Sequence, residues 1–213
     1  MIVDNFDKIR NFLTFKEGND DAFYLIQIMQ RSKDFPEGEV HGTKVIRSYY
    51  VSNLEYYNSH IEEIKKMCAV FHARAYIRLN LSSWKACCIK SLGEIANLIE
   101  NEQYRSIRSV LDGLAGKYHP AGYDKKWIID VDEHADEPKY IQAIIDAVNE
   151  CEPHKEETKI IGTIPTRSGM HILTEPFNIA QFRKTYPEHM LDVHKDNPTL
   201  LYYNDQQIFL DIK

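Results

Sequence analysis

The stretch Trp127-Ile128-Ile129-Asp130-Val131-Asp132 narrows most sharply what this chain can fold into. Its residues suit a strand. On a strand, residues two apart share a face, with Cα atoms roughly 6.5 Å apart. Asp130 and Asp132 then project together, while Ile129 and Val131 point the other way, into a core. Like charges side by side repel, so a sheet needs a reason to keep them. A bound Mg²⁺ or Mn²⁺ supplies one, because hard cations take carboxylate oxygens and leave positions open for substrate phosphates. The competing reading is an acidic strand end facing water, continued by Glu133, His134, Asp136 and Glu137.

The surrounding pattern predicts an α+β fold, a mixed β-sheet with packed helices. Residues 5–32 read as largely helical, from the spacing of Ala22, Leu25, Ile26 and Met29. Thr43–Val51 reads as a strand, and Ser52 or Asn53 opens a helix to about Phe71. Ala73–Leu79 is a second strand. Ser82 or Ser83 starts a helix to about Asn101, and a short helix ends near Gly116. Residues 117–124 form a loop and the candidate boundary between residues 1–116, an α/β part with basic surface, and residues 117–213, which carry the acid pair. One continuous domain fits the pattern equally. Beyond the loop come strands at Lys126–Val131, Lys159–Ile164, Met170–Thr174, Met190–Val193 and Thr199–Tyr203, with a further one at Gln207–Ile212. Helices are expected at Glu137–Glu150 and Asn178–Tyr186.

Composition sets wider bounds. The chain has 213 residues, 43% hydrophobic and 27% charged, enough for a sizeable core without staples. No apolar run approaches the roughly 20 residues of a membrane helix, and the acidic start is unlike a signal peptide. The expectation is a cytoplasmic protein without a membrane partner. Cys68, Cys87, Cys88 and Cys151 form no Cys-x-x-Cys pair and read as free thiols in a reducing compartment. The net charge of -6 is unevenly spread. Residues 41–128 hold 13 Lys/Arg against 8 Asp/Glu, and residues 129–213 hold 8 against 16. A basic middle section suits DNA or RNA, since phosphate binding follows local potential more than total charge. Within it, Arg74, Arg78 and Lys85 are candidate nucleic-acid contacts.

Two further segments carry chemistry. In Thr166-Arg167-Ser168-Gly169-Met170-His171, a glycine-containing turn opens a strand. Glycine lets backbone approach a phosphate closely, and Arg167 and Ser168 are natural phosphate donors. His171 can donate to a triphosphate oxygen, more strongly when protonated. A half-buried histidine at a hairpin edge is the plainer alternative. A metal site of this kind wants a third carboxylate. Asp192 in Leu191-Asp192-Val193-His194 is preferred over Asp211, which lies close to the C-terminus.

The order of these segments resembles the archaeo-eukaryotic primase superfamily, which includes the primase-polymerases. The motifs are Ile129-Asp130-Val131-Asp132, Ser168-Gly169-Met170-His171 and Leu191-Asp192, the last followed by the apolar strand Leu200-Leu201-Tyr202-Tyr203. The resemblance covers about residues 124–204. The family's usual second motif is Ser-x-His, where this chain has Ser-x-x-His. The resemblance implies a primase-polymerase-like catalytic core adding nucleotides to a DNA or RNA 3′-hydroxyl. Asp130, Asp132 and Asp192 would hold Mg²⁺ or Mn²⁺, and Ser168 and His171 would contact the phosphates of a nucleoside triphosphate. On a nucleotidyl-transfer reading, pyrophosphate would leave toward His171, Arg167 and Lys195. Two other functions stay open: a non-catalytic nucleic-acid-binding module of the same fold, and a metal-dependent nuclease using the same carboxylates. Protein partners are not readable from the residues.

Overall fold

The apolar run Ala22-Phe23-Tyr24-Leu25-Ile26 forms the start of a central strand, not the helix that its spacing suggests. The computed structural model of the chain describes residues 1–16, 18, 20–34, 42–185 and 191–205. In it, only Phe6–Arg10 (α1) of the expected N-terminal helix is helical, and Ala22–Arg31 (β2) runs extended. All five residues Ala22–Ile26 are buried, because β2 is covered on both faces. A strand covered on both faces has no polar side, so it shows a continuous apolar run rather than alternation. Within such a run, some residues inevitably match helical spacing.

Two antiparallel sheets replace the expected mixed sheet. The first contains Ile2–Asp4 (β1), β2, Thr43–Val51 (β3), Arg74–Ile77 (β4), the short Ser82–Ser83 (β5) and Thr199–Asn204 (β10). Its order is β1-β10-β4-β2-β3, with β5 paired to the start of β2. The second contains Trp127–Val131 (β6), Ile160–Pro165 (β7), Met170–Thr174 (β8) and Asp192–His194 (β9), in the order β7-β8-β6-β9. Every strand pair is antiparallel among the described residues. With its packed helices, the protein is α+β. β10 crosses the division expected at residue 117, since it lies between β1 and β4 in the first sheet.

Local chemistry sets the helix boundaries. Asn53 accepts the Tyr56 backbone N–H at 2.7 Å and caps Leu54–Ser59 (α2). The single helix expected to Phe71 is two, with Ile61–Val70 (α3) following. At the break, the His60 ring stacks on Tyr56 and its Nδ1 bonds the Tyr56 carbonyl at 2.8 Å, using an acceptor that a continuous helix would need. Ser83 caps Trp84–Glu100 (α4) through the Ala86 N–H at 3.1 Å. A 3-10 turn and Val110–Leu114 (α5) follow. Pro138–Glu150 (α6) begins with proline, which costs nothing at a first turn. It ends on the buried Lys159, whose ammonium donates to the carbonyls of Val148, Asn149 and Cys151 at 3.2, 2.8 and 2.7 Å. The last carbonyls of a helix run out of intrahelical donors, that of Val148 taking the Cys151 cap N–H at 3.2 Å, and a cation there also suits the dipole. Ile179–Thr185 (α7) completes the described helices. The expected end of this helix at Tyr186 lies outside the described residues, as do Met190, Asp211 and the strand at Gln207–Ile212. All four cysteines are free thiols.

The core is continuous across both sheets. One cluster joins Ile128, Ile164 and Leu173 of the second sheet to Ile26, Ile77, Leu201 and Tyr57. Buried Asn5 ties the sheets directly, donating to the carbonyls of Pro165 at 2.8 Å and Leu200 at 2.9 Å. On the far face of the second sheet, Ile129, Val131 and Ile172 pack with Ile144 and Val148 of α6 and Phe182 of α7. No helix among the described residues is long and apolar enough to cross a membrane.

Candidate active site

Asp130 sits in the middle of the second sheet, opposite His171 on one side and Asp192 on the other. His171 is in turn opposite Ile164. Directly opposed residues share a face. Ile164, His171, Asp130 and Asp192 therefore form one row across four strands, on the face turned toward the first sheet. Ile129 and Val131 face the opposite way and are fully buried, as the alternation demands. Asp192, the expected third carboxylate, stands opposite Asp130 in register. Among the described residues, no three His, Cys, Asp or Glu side chains stand close enough to enclose a metal ion.

Asp132 lies one residue past the end of β6 and accepts the Ser168 hydroxyl at 3.0 Å. The turn that brings Ser168 there closes on itself: the Thr166 N–H donates to the Gly169 carbonyl at 2.9 Å, and the Gly169 N–H to Thr166 Oγ1 at 3.0 Å. Gly169 is required by contact. A Cβ at this position would stand 2.0 Å from the Val131 carbonyl oxygen and 2.9 Å from the Asp132 Cα. The absence of a side chain is what lets this turn lie on the end of β6.

His171 is held from both ends. Its Nδ1 shares a hydrogen bond with Thr199 Oγ1 at 2.8 Å, and its Nε2 lies 3.4 Å from Asp130 Oδ1. When the Thr199 hydroxyl donates, the neutral ring keeps its proton on Nε2, the atom facing Asp130.

The opposite wall of the cleft is basic. Arg31 at the end of β2 donates to the Tyr76 hydroxyl at 3.1 Å. Arg74 on β4 is buried and ion-paired with Asp34, which also takes Arg167 Nη1 at 3.2 Å. The guanidinium groups of Arg74 and Arg167 lie over the Tyr203 ring, 4.7 and 5.3 Å from its centroid. Arg74 Nε is buried without a hydrogen-bond partner, so this side chain has donor capacity to spare. Between the walls is a cavity of about 380 Å³, lined by Arg31, Arg74, Arg167, Asp130, Asp132 and His171 among others. Two carboxylates and three guanidiniums facing one space form a site with separate places for cations and anions.

Six of the expected residues meet at this cavity: Asp130, Asp132, Arg167, Ser168, His171 and Arg74. Asp192 adjoins Asp130 in the sheet, but its exposed side chain does not line the cavity. Lys195 is exposed, with its ammonium 5.1 Å from the Trp127 ring centroid. Arg78 is committed to Asp196. Lys85 is exposed in the first turn of α4, away from the lining. Sequence reasoning passed over Arg31, Asp34, Tyr76 and Thr199. Arg31 was hidden by the helical reading of β2. Thr199 had a signal, because a hydroxyl opening the strand after the third acidic motif is well placed to meet the histidine strand.

Models of known protein families give no match to this chain, and neither curated proteins nor solved structures match it.

Proposed function

We propose that the chain is a metal-dependent nucleotidyltransferase of primase-polymerase type, joining a nucleoside triphosphate to a DNA or RNA 3′-hydroxyl. The observation that carries the reading is that Asp130, Asp132 and His171 face three arginines across one cavity, with Asp130 and His171 opposed on adjacent strands. The order of the three motifs, which resembles the primase superfamily, supports it independently.

Asp130 and Asp132, which line the cavity together, offer only carboxylate oxygens, the donors that Mg²⁺ and Mn²⁺ prefer, and would hold such an ion, with Asp192 beside Asp130 in the sheet but its side chain outside the cavity. When bound, the ion supplies neutralisation of charge at the reacting phosphate and its leaving group. The chain's own groups do the rest. Arg31, Arg74 and Arg167 receive the phosphate chain through charge-assisted hydrogen bonds. His171, fixed by Thr199, donates from Nε2 to a phosphate oxygen. Ser168 steadies Asp132, so that both acids keep one orientation. Holding the 3′-hydroxyl and the α-phosphate in line converts an encounter between two molecules into a reaction within one complex.

Primer extension tests the reading. The wild-type protein with Mg²⁺ or Mn²⁺ incorporates nucleotides, and the Asp130→Ala, Asp132→Ala variant does not. No incorporation on any template, or wild-type incorporation by that variant, overturns it.

A further inference from the structure

Helix α4 is apolar on two sides, and only one of them is used. Its inner side packs Cys87 and Trp84 on Phe23, Leu25 and Tyr50. Its outer side carries Ile89, Leu92 and Ile99, which are 59, 70 and 50% exposed, with exposed Ala96 between them. The spacing of 3, 4 and 3 residues puts all four on one stripe. A single exposed leucine needs no explanation, but a contiguous stripe of this kind marks an interaction surface. Gly93 beside it has open space where a Cβ would stand, so a partner can approach closely there.

The charges on α4 indicate which partner fits. Lys85 opens the helix and Glu100 closes it, with no acid in the first turn and no base in the last. Both charges are the wrong way round for the helix's own dipole, which favours acids at the start and bases at the end. Both lie close to the line of the apolar stripe, about 40–60° apart by the 3.6-residue repeat. The Asp21 carboxylate already meets the start of the helix, accepting the Lys85 N–H at 2.6 Å, so the uncompensated end is that of Glu100, and a second α4 running antiparallel supplies it with a base. It brings Lys85 to the partner's Glu100 and its negative helix end, and does the same at the other end by symmetry. Ile89 and Leu92 then face the partner's Ala96 and Gly93. A surface that satisfies itself under a two-fold rotation is what an isologous dimer requires.

We propose that the protein forms a two-fold homodimer through antiparallel pairing of α4, with Ile89, Leu92, Ala96 and Ile99 as its apolar seam and Lys85–Glu100 pairs at its ends. None of the α4 residues lines the cavity, so the dimer does not depend on the proposed activity.

Sedimentation equilibrium on the full chain, from about 1 to 100 µM, tests it. Wild type sediments at twice the chain mass in the upper part of that range. Leu92→Glu, a change at an exposed position, gives a monomer with an unchanged circular dichroism spectrum. Lys85→Glu weakens the dimer by about tenfold, and adding Glu100→Lys restores it. A wild type that stays monomeric throughout overturns the proposal. So does a Leu92→Glu variant that still dimerises, or a double charge reversal that binds no better than the single one.

Discussion

Thr199 Oγ1 and His171 Nδ1 share a hydrogen bond of 2.8 Å that joins the two sheets, since Thr199 belongs to β10 and His171 to β8. The hydroxyl that opens a strand of one sheet thereby sets the ring orientation on the other. Replacing Thr199 with valine keeps the volume and removes the partner. Leaving a part-buried ring nitrogen unsatisfied costs about 1–2 kcal/mol. Thr199→Val is expected to lower stability by that amount in urea denaturation. It should also raise the KM for the triphosphate about fivefold in primer extension, and Thr199→Ser should recover both.

Gly169 gives a sharper expectation, because its neighbours are backbone. The Val131 carbonyl oxygen, 2.0 Å from where a Cβ would stand, belongs to the middle strand of a sheet and cannot swing aside. Gly169→Ala must push the turn off β6 and break the Ser168–Asp132 hydrogen bond. Overpacking of this kind costs about 1–3 kcal/mol. A lower midpoint in thermal denaturation, together with lost incorporation activity, is the expected outcome. Ser168→Ala should keep the midpoint, since it removes only one exposed hydrogen bond.

The second half of the fold was legible because its strands are covered unequally. Asp130 and Asp132 alternate with Ile129 and Val131, and the alternation fixes both the strand and the direction of each side chain. β2 misled for the opposite reason: buried on both faces at its start, it has no alternation to read. With it went Arg31, one of the three arginines of the basic wall. Asp34 was invisible in a different way. Nothing local in Ser32-Lys33-Asp34 signals that Arg74 and Arg167, 40 and 133 residues away, converge on its carboxylate. Long-range ion pairs are settled by the packing of elements and leave no periodic trace. Asp192 was expected, from motif order, to converge with Asp130 and Asp132; it adjoins Asp130 in the sheet, but its side chain lies outside the cavity, because motif order carries no information on where a side chain at a strand edge turns.

Asp196 predicts a pH dependence. It accepts Asn80 Nδ2 at 2.9 Å and Arg78 Nη1 at 3.3 Å, but burial outweighs these and pushes its carboxyl above the ordinary range. The folded protein therefore holds this proton at a pH where the unfolded chain has released it. Where the folded state binds more protons, stability falls as pH rises. The fall begins near the unfolded value of ~4 and ends once pH passes the folded value. Asp196→Asn removes this component. Urea denaturation across that range should show a more negative slope of stability against pH for wild type than for the variant.

Asp34 makes the last prediction, and it has two opposing parts. Its carboxylate pairs with the guanidiniums of Arg74 and Arg167, two of the three arginines that line the cavity, so these arginines already hold a negative group of the chain itself. Asp34→Asn takes the charge away and leaves buried Arg74 without its counter-ion. Breaking a buried pair from one side costs about 3–5 kcal/mol, so the variant should be markedly less stable. The same loss frees both arginines for an external anion. Tripolyphosphate should therefore bind the variant more tightly than wild type, by about tenfold or more in calorimetry, since a charge-assisted hydrogen bond contributes about 1.5–3 kcal/mol. A ligand that binds only the folded state raises its stability, so added tripolyphosphate should lift the variant's melting midpoint further than that of wild type. If Asp34 were only a structural ion-pair partner, the stability loss would appear without the gain in anion affinity. Reading the two quantities on the same variant separates a carboxylate that competes with phosphate for these arginines from one that merely neutralises the wall.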